Sequence, residues 1–328
     1  MGHRQAGALV ASGLLLGSAA GAEESPKAPA GSPAPVAVQG GLSTHFRTWL
    51  KARGLSGRAF DRADLLGGSY GGRNQEQDPV TRPPVIFVHG NSDRALGTGS
   101  AFHTGWTASI AFFLKKGYRP SELYATTWGP ADPNQMANQS HRKAYLTGLR
   151  AFILAVKDYT GAAKVSVVAH SMGVTLARKA ILGGPAADPL DGGDYDLGAP
   201  LTPIIDTFVG IAGANLGLLP CIPAADAAPA CSRVNGFFPG TGPGGQGPSA
   251  LLAGLNAVAH YEGAKVYAIW STADEIIGNE NLVFGRPTSR IPGQDGEKVF
   301  TEAPYGHINL KDLTVQHQWR MVAFHVTD

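Results

Sequence analysis

Short apolar runs recur along this chain at intervals that leave room for a helix between them. Val165, Val167, Val168 and Ala169 stand in an almost wholly apolar, β-branched run, the pattern of a parallel strand buried on both faces. Similar runs lie at 84–88, 123–128, 207–212 and 266–270, with a more polar one near 298–301. Between them the apolar spacing lengthens to that of helices. Residues 106–116 form one such stretch, stopped by Gly117 as a C-terminal glycine cap. Residues 135–159 form a longer one in which Tyr145, Leu149, Phe152 and Val156 share a face, and Gly161 ends it. Shorter helices are predicted over 43–53, directly after Ser171, over 249–259 and over 310–325. Residues 183–203, rich in Gly, Pro and Asp, read as an exposed loop. The alternation predicts an α/β fold, with a mostly parallel central sheet and helices on both faces.

The first 40 residues stand apart from that rhythm. Arg4, an apolar run over 8–16 and the small residues Ala20-Gly21-Ala22 have the form of a secretory signal peptide over 1–22. Its apolar core is too short to span a bilayer, so no membrane span is expected after cleavage. Residues 23–40, mostly Pro, Ala and Ser, read as a flexible linker. Residues 41–328 suit one α/β catalytic domain. The expected location is outside the cytoplasm, extracellular or periplasmic.

Composition narrows the ligand. Charged residues make up only 16% of the chain and the formal net charge is +2, with no basic cluster. Nucleic acid is therefore not an expected partner, and an uncharged ligand is. The two cysteines, Cys221 and Cys231, lie close together, and an oxidising compartment favours their pairing. No His or Cys stands near them at zinc spacing, so no metal site is expected.

The chemistry concentrates after the run at 165–169. Ala169-His170-Ser171-Met172-Gly173 matches the Gly-x-Ser-x-Gly turn that presents a nucleophilic serine between a strand and a helix, with Ala in the first small position. Such a turn lifts the serine hydroxyl above the carboxyl ends of the strands and aims the first free N–H groups of the helix at a developing oxyanion. Ser171 is the candidate nucleophile, and the N–H of Met172 a candidate oxyanion donor. The plain alternative is a serine that only caps the helix. A second donor is expected from the loop after 84–88, His89-Gly90-Asn91-Ser92-Asp93. We assign it to the Asn91 N–H, with Ser92 as fallback; His89 reads as a brace of that loop, and Asp93 as a helix cap or loop tie.

A serine needs a base, and the base a third group to fix it. Asp274 follows the run at 266–270, where the chain order Ser, Asp/Glu, His places the orienting acid. Glu275 ranks second, and Asp206 lies before its strand, at the wrong end. His307, in a loop after the last strand, is the candidate base, ahead of His317 and His325 on the terminal helix and His260 before a strand. No organic cofactor is implied.

The stretches PVIFVHGNSD at 84–93, the run from Ala151 to Met172, and 210–217 resemble class 2 lipases, and most of all the secreted bacterial depolymerases of native poly(3-hydroxybutyrate). The paired cysteines followed by Gly236-Phe237-Phe238-Pro239 share in this resemblance, which runs from about residue 70 to 239 and thins beyond. It implies an α/β-hydrolase fold, Ser171, Asp274 and His307 as the catalytic set, and Asn91 and Met172 as oxyanion donors. The depolymerases carry a longer, tyrosine-rich excursion after Phe-Phe-Pro, where this chain has a short Gly/Pro tract and an Ala/Leu-rich stretch; no separate polymer-binding module is expected among these residues. In this fold 218–262 comes after the sixth strand, a position where a small cap or lid and a rigid surface loop fit equally. The leading reading is a secreted serine hydrolase of lipid or other apolar esters. Depolymerisation of the native polyester is the alternative, an acyltransferase a third. A non-catalytic binding protein on a hydrolase scaffold is the distant one, since all three catalytic candidates stand in order.

Overall fold

The computed structural model describes residues 38–328; the expected signal peptide and nearly all of the linker lie outside the described residues. The central sheet contains β1 (Gly41–Leu42), β2 (Ser69–Gly71), β3 (Val85–Val88), β4 (Leu123–Thr126), β5 (Val165–His170), β6 (Ile205–Ile211), β7 (Lys265–Ser271) and β8 (Gly296–Phe300), in the order β1-β2-β4-β3-β5-β6-β7-β8. From β4 to β8 all pairings are parallel, and β2 meets β4 antiparallel. This is the α/β-hydrolase order, and β5 lies at its centre.

Helices cover both faces. On one lie α1 (Thr44–Ala52), α3 (Lys143–Thr160), α4 (Met172–Leu182) and α5 (Ala250–Asn256); on the other α2 (Thr107–Lys115), α6 (His307–Leu313) and α7 (Val315–Phe324). Successive β5 residues feed the two cores in turn: Val167 and Ala169 pack with Phe46, Phe152 and Leu176, and Val168 with Phe87, Trp106 and Met321. That is the period-two alternation of a strand, and because both faces are apolar the run carries almost no polar residue. Among the described residues no helix is long and apolar enough to cross a membrane.

Three expectations about local structure fail, each because a distant group intervenes. The stretch 135–159 is a 3₁₀ turn, Pro133–Asn138, followed by α3. Gln139 and Arg142 are extended, with ψ of 127° and 151°, because His141 is drawn inward. Its backbone N–H and its ring both reach the Asn235 carbonyl, at 3.0 and 2.8 Å. Within 183–203, Pro185–Asp188 and Gly193–Asp196 pair as an antiparallel ribbon instead of a loop. Asp188 is fully buried and accepts from Lys143 N–H at 2.8 Å, closing the start of α3. The terminal helix predicted over 310–325 begins earlier and is two helices broken at Thr314. Buried Gln318 explains the break: its Nε2 donates to the Lys311 carbonyl at 2.6 Å, while its Oε1 accepts from Ser109 at 2.7 Å. His307 thus opens α6 and is not a loop residue.

Residues 218–262 carry two 3₁₀ turns joined by the Cys221–Cys231 disulfide, S–S 2.02 Å, a short-loop crosslink contributing about 2 to 3 kcal/mol on the loop-entropy estimate. The segment is tied to the body at α4. Arg178 Nε donates to Glu262 Oε1 at 2.8 Å, and its other nitrogens to Asn215 Oδ1, Asn256 Oδ1 and the Leu255 carbonyl at 2.8 to 3.1 Å. Both charged side chains are fully buried. Removing one partner strands the other without water, so Arg178→Ala is expected to cost about 3 to 5 kcal/mol. A fall in urea midpoint at unchanged m-value checks this; a midpoint equal to the parent's would contradict it.

Candidate active site

The turn at Ser171 is built by what is missing around it. Ser171 has φ 54° and ψ −128°, a strained conformation for a residue with a side chain. It makes no side-chain cap bond to α4, so helix capping does not account for it. Its N–H donates to the Ile211 carbonyl at the end of β6, 2.8 Å. A Cβ on Gly173 would lie 2.3 Å from the His89 carbonyl oxygen and 2.6 Å from that of Val88. A Cβ on Gly90 would lie 2.9 Å from Ser171 Cβ. The first turn of α4 therefore rests directly on the chain leaving β3, and both glycines are required by space.

His307 and Asp274 meet beyond the ends of β7 and β8. His307 Nδ1 lies 2.8 Å from Asp274 Oδ2, and both side chains are buried. Asp274 Oδ1 is held separately by the N–H groups of Ile276 and Ile277, at 3.1 and 2.9 Å. One carboxylate oxygen is thus fixed by backbone and the other by the ring. A carboxylate only accepts, so the ring proton sits on Nδ1 and Nε2 keeps its lone pair. Neither Nε2 nor Ser171 Oγ is hydrogen-bonded among the described residues; such bonds often close only when substrate is bound. The rings of His307 and His170, the residue before the serine, are 4.8 Å apart. Glu275 does not touch the imidazole by its carboxylate; its Oε2 accepts the backbone N–H of His307 at 3.0 Å.

The remaining candidates are engaged elsewhere. His325 pairs with Asp206 at 3.2 Å, near the start of β6 and so at the opposite end of the sheet. His260 pairs with Asp295 at 2.9 Å, and His317 contacts the Thr327 carbonyl at 3.2 Å.

The N–H groups of Met172, first in α4, and of Asn91, in the loop after β3, find no acceptor among the described residues. The Asn91 side chain donates to the Met136 carbonyl at 3.0 Å, and Ser92 Oγ donates to Asn91 Oδ1 at 3.1 Å. His89 is a brace: its ring stacks on Trp128 at 5.0 Å, Nδ1 donates to the Gly90 carbonyl and Nε2 accepts from Trp128 N–H. Asp93 Oδ1 ties the same loop to the N–H groups of Arg94 and Gly105, at 2.8 and 3.1 Å.

One residue the sequence reading overlooked joins this loop to the helix of His307. Lys311, one turn further along α6, is fully buried. It donates to Thr104 Oγ1 and Asp312 Oδ1, at 2.8 and 2.9 Å, and to the Gly105 carbonyl, with Asp93 Oδ2 at 3.7 Å. The only trace in sequence is its i, i+4 spacing from His307.

A family model described as class 2 lipase matches residues 82–320. No protein of curated function matches the chain. Among solved structures, lipase B of Aspergillus fumigatus is similar at 14% identity and a TM-score of 0.48, over 78% of this chain and 56% of that one. The match therefore spans little more than half of the fungal chain. The mature lipase BlEst2 of Bacillus licheniformis is similar at 13% identity and a TM-score of 0.48, over 78% of this chain and 98% of that one. One of the metagenome-derived lipolytic enzymes LipS and LipT is similar at 13% identity and a TM-score of 0.46, over 78% and 97%.

Three histidines around the site are buried neutral. Burial lowers His89 to about 3 and His141 to about 4 from the ordinary 6.5. It also holds His170 well below that value, with the neighbouring His307 adding to the effect. Because His141 is neutral, its Nδ1–H goes to the Asn235 carbonyl and its Nε2 accepts from the Thr175 hydroxyl at 2.6 Å. Below pH 6.5 the unfolded chain takes up protons that these rings refuse, so stability falls as pH drops, for His141 until about pH 4. Each such group contributes up to about 1.4 kcal/mol per pH unit. Urea midpoints taken from pH 7 to 4.5 are expected to fall, and His141→Gln to flatten that fall by up to this amount. Identical pH slopes for variant and parent would contradict the assignment.

Proposed function

The chain belongs to the class 2 lipases, and from that premise we propose that it is a serine ester hydrolase that cleaves lipid or other uncharged, apolar esters through an acyl-enzyme on Ser171, outside the cytoplasm. The observation that carries this reading is the contact of His307 Nδ1 with Asp274 Oδ2, 2.8 Å, beside the strained turn at Ser171. His307 Nε2 takes the proton from Ser171 Oγ as the oxygen attacks the ester carbonyl, then gives it to the leaving alcohol. Asp274 keeps the ring proton on Nδ1 and stabilises the imidazolium. The N–H groups of Met172 and Asn91 bind the tetrahedral oxyanion, an interaction worth on the order of 100-fold to 1,000-fold in rate per donor. Water, activated by the same histidine, releases the acid.

Several features support the substrate class and the location. Met136, whose carbonyl receives the Asn91 side chain, and Ile276, two residues past Asp274, expose apolar side chains. The formal net charge of +2, with no basic cluster, favours an uncharged substrate. The closed Cys221–Cys231 bond suits an oxidising compartment.

A second reading, depolymerisation of native poly(3-hydroxybutyrate), is favoured by an open groove of about 290 Å³. Leu216, Pro239, Val283 and Phe284 line it, between the Gly/Pro tract and the ribbon Leu282–Val283/Arg286–Pro287.

Acid release from short esters, long-chain triglyceride and amorphous poly(3-hydroxybutyrate) separates these readings. Ser171→Ala is expected to lower kcat by at least about 10³-fold and Asp274→Asn by about 10⁴-fold through the wrong tautomer. Fluorophosphonate is expected to label Ser171. Turnover of soluble or lipid esters with the polymer untouched supports the first reading, and clearing of the polymer the second. Activity surviving in Ser171→Ala would overturn both.

A further inference from the structure

Taking His307 as the base of the reaction proposed above, we propose that Glu275 is its positioning residue. Two consecutive carboxylates hold the same histidine, Asp274 by its ring and Glu275 by its main chain. The Glu275 Oε2 to His307 N distance is 3.0 Å. That N–H is the first of α6, a seven-residue helix, and would otherwise have no partner within the helix. A helix this short is marginal on its own, so its first turn needs an external acceptor. The direction in which the imidazole leaves the backbone depends on where that turn sits. Asp274 cannot serve both ends, because Oδ1 is committed to the N–H groups of Ile276 and Ile277 and Oδ2 to the ring.

The residue before the histidine carries an independent sign of the same contact. A Cβ on Gly306 would lie 2.4 Å from Glu275 Oε2 and 3.2 Å from its carboxyl carbon. Gly306 has φ −74° and ψ 177°, a conformation that alanine adopts freely. The backbone would accept a side chain here, and what a Cβ would displace is the Glu275 carboxylate alone. At the far end of the same helix Lys311 is tied to Gly105 and Thr104. The base helix is thus pinned at both ends, and Glu275 holds the end that carries the chemistry.

The test uses the full-length protein and a soluble short-chain ester. It measures kcat per active site counted by complete fluorophosphonate labelling, together with KM and Tm. Glu275→Ala is expected to lower kcat per site about 10-fold, because displaced reacting groups lose rate steeply, with KM held within about 2-fold. Glu275→Gln keeps an acceptor oxygen without the charge and is expected to recover most of that loss. Gly306→Ala, which pushes the carboxylate away, is expected to reproduce the Glu275→Ala loss. The double variant should be no worse than the poorer single, the non-additivity of residues acting through one contact. The proposal is overturned if Glu275→Ala keeps kcat per labelled site, whatever its Tm. It is also overturned if Gln fails to rescue, which would make charge the cause, or if the two alanine losses multiply. An enzyme whose Ser171→Ala variant stays active would instead remove the base itself, an outcome distinct from all of these.

Discussion

The first turn of α4 lies against the end of β3 with no side chain between them. Backbone of residues 88 and 89 fills the space where a Cβ of Gly173 would stand, and Gly90 in turn has none to set against Ser171. Much of the site depends on this contact. It forces Ser171 to φ 54°, because the chain must reverse from strand to helix within a single residue. It also brings the N–H of Met172 and that of Asn91 into one neighbourhood, since one leaves the helix start and the other the loop that the helix start touches. A side chain at Gly173 would push the helix start off the loop, and one at Gly90 would meet Ser171 itself. The strain at Ser171 costs of order 1 to 3 kcal/mol. It is offset by the core that β5 commits on both faces.

Polar groups inside the domain serve the same end by different means. Arg178 and Glu262 fasten α4 to the segment after β6, His141 fastens Asn235 to Thr175, and Lys311 fastens α6 to Thr104 and Gly105. A buried charge or imidazole is costly unless its hydrogen bonds are met. These groups therefore tolerate few alternative arrangements, and each joins two segments that apolar contact alone would leave free to slide. The distances around Ser171 are set by such ties as much as by the sheet.

This division explains what could be read from sequence. Apolar runs disclosed the inner strands because burial on both faces leaves one signature, and the small residues at Ala169 and Gly173 disclosed the turn because sterics allow few others. Strand direction sufficed to set aside Asp206, which the structure places beside His325 at the far end. The failures lie where a local pattern was overruled from a distance. No periodicity within 135–159 reports that Asn235 will draw His141 out of a helix. The Gly and Asp of 183–203 hide a ribbon that closes on Lys143, and Gln318 breaks a helix by bonding seven residues back. Lys311, and the contact by which the second-ranked Glu275 meets the His307 main chain, escaped for the same reason: such parts are defined by partners, and an isolated Glu or Lys has no pattern of its own.

The buried histidines also restrict where protons can go. His89 and His141 each have both ring nitrogens spoken for, one donating to a carbonyl and one accepting. His170 donates from Nε2 to the His307 carbonyl, and its other nitrogen faces the backbone near Gly90. Burial disfavours a proton on any of them. Two imidazoles beside Ser171 combine a fixed tautomer with an unengaged nitrogen: His170, whose Nδ1 has no partner among the described residues, and His307 at Nε2. Burial, to which the neighbouring His307 adds, holds His170 well below its ordinary value, so in the proposed mechanism a proton leaving Ser171 goes to His307 alone. That exclusivity comes from desolvation, and the dry walls that supply it are the apolar strands on which the turn at Ser171 was built.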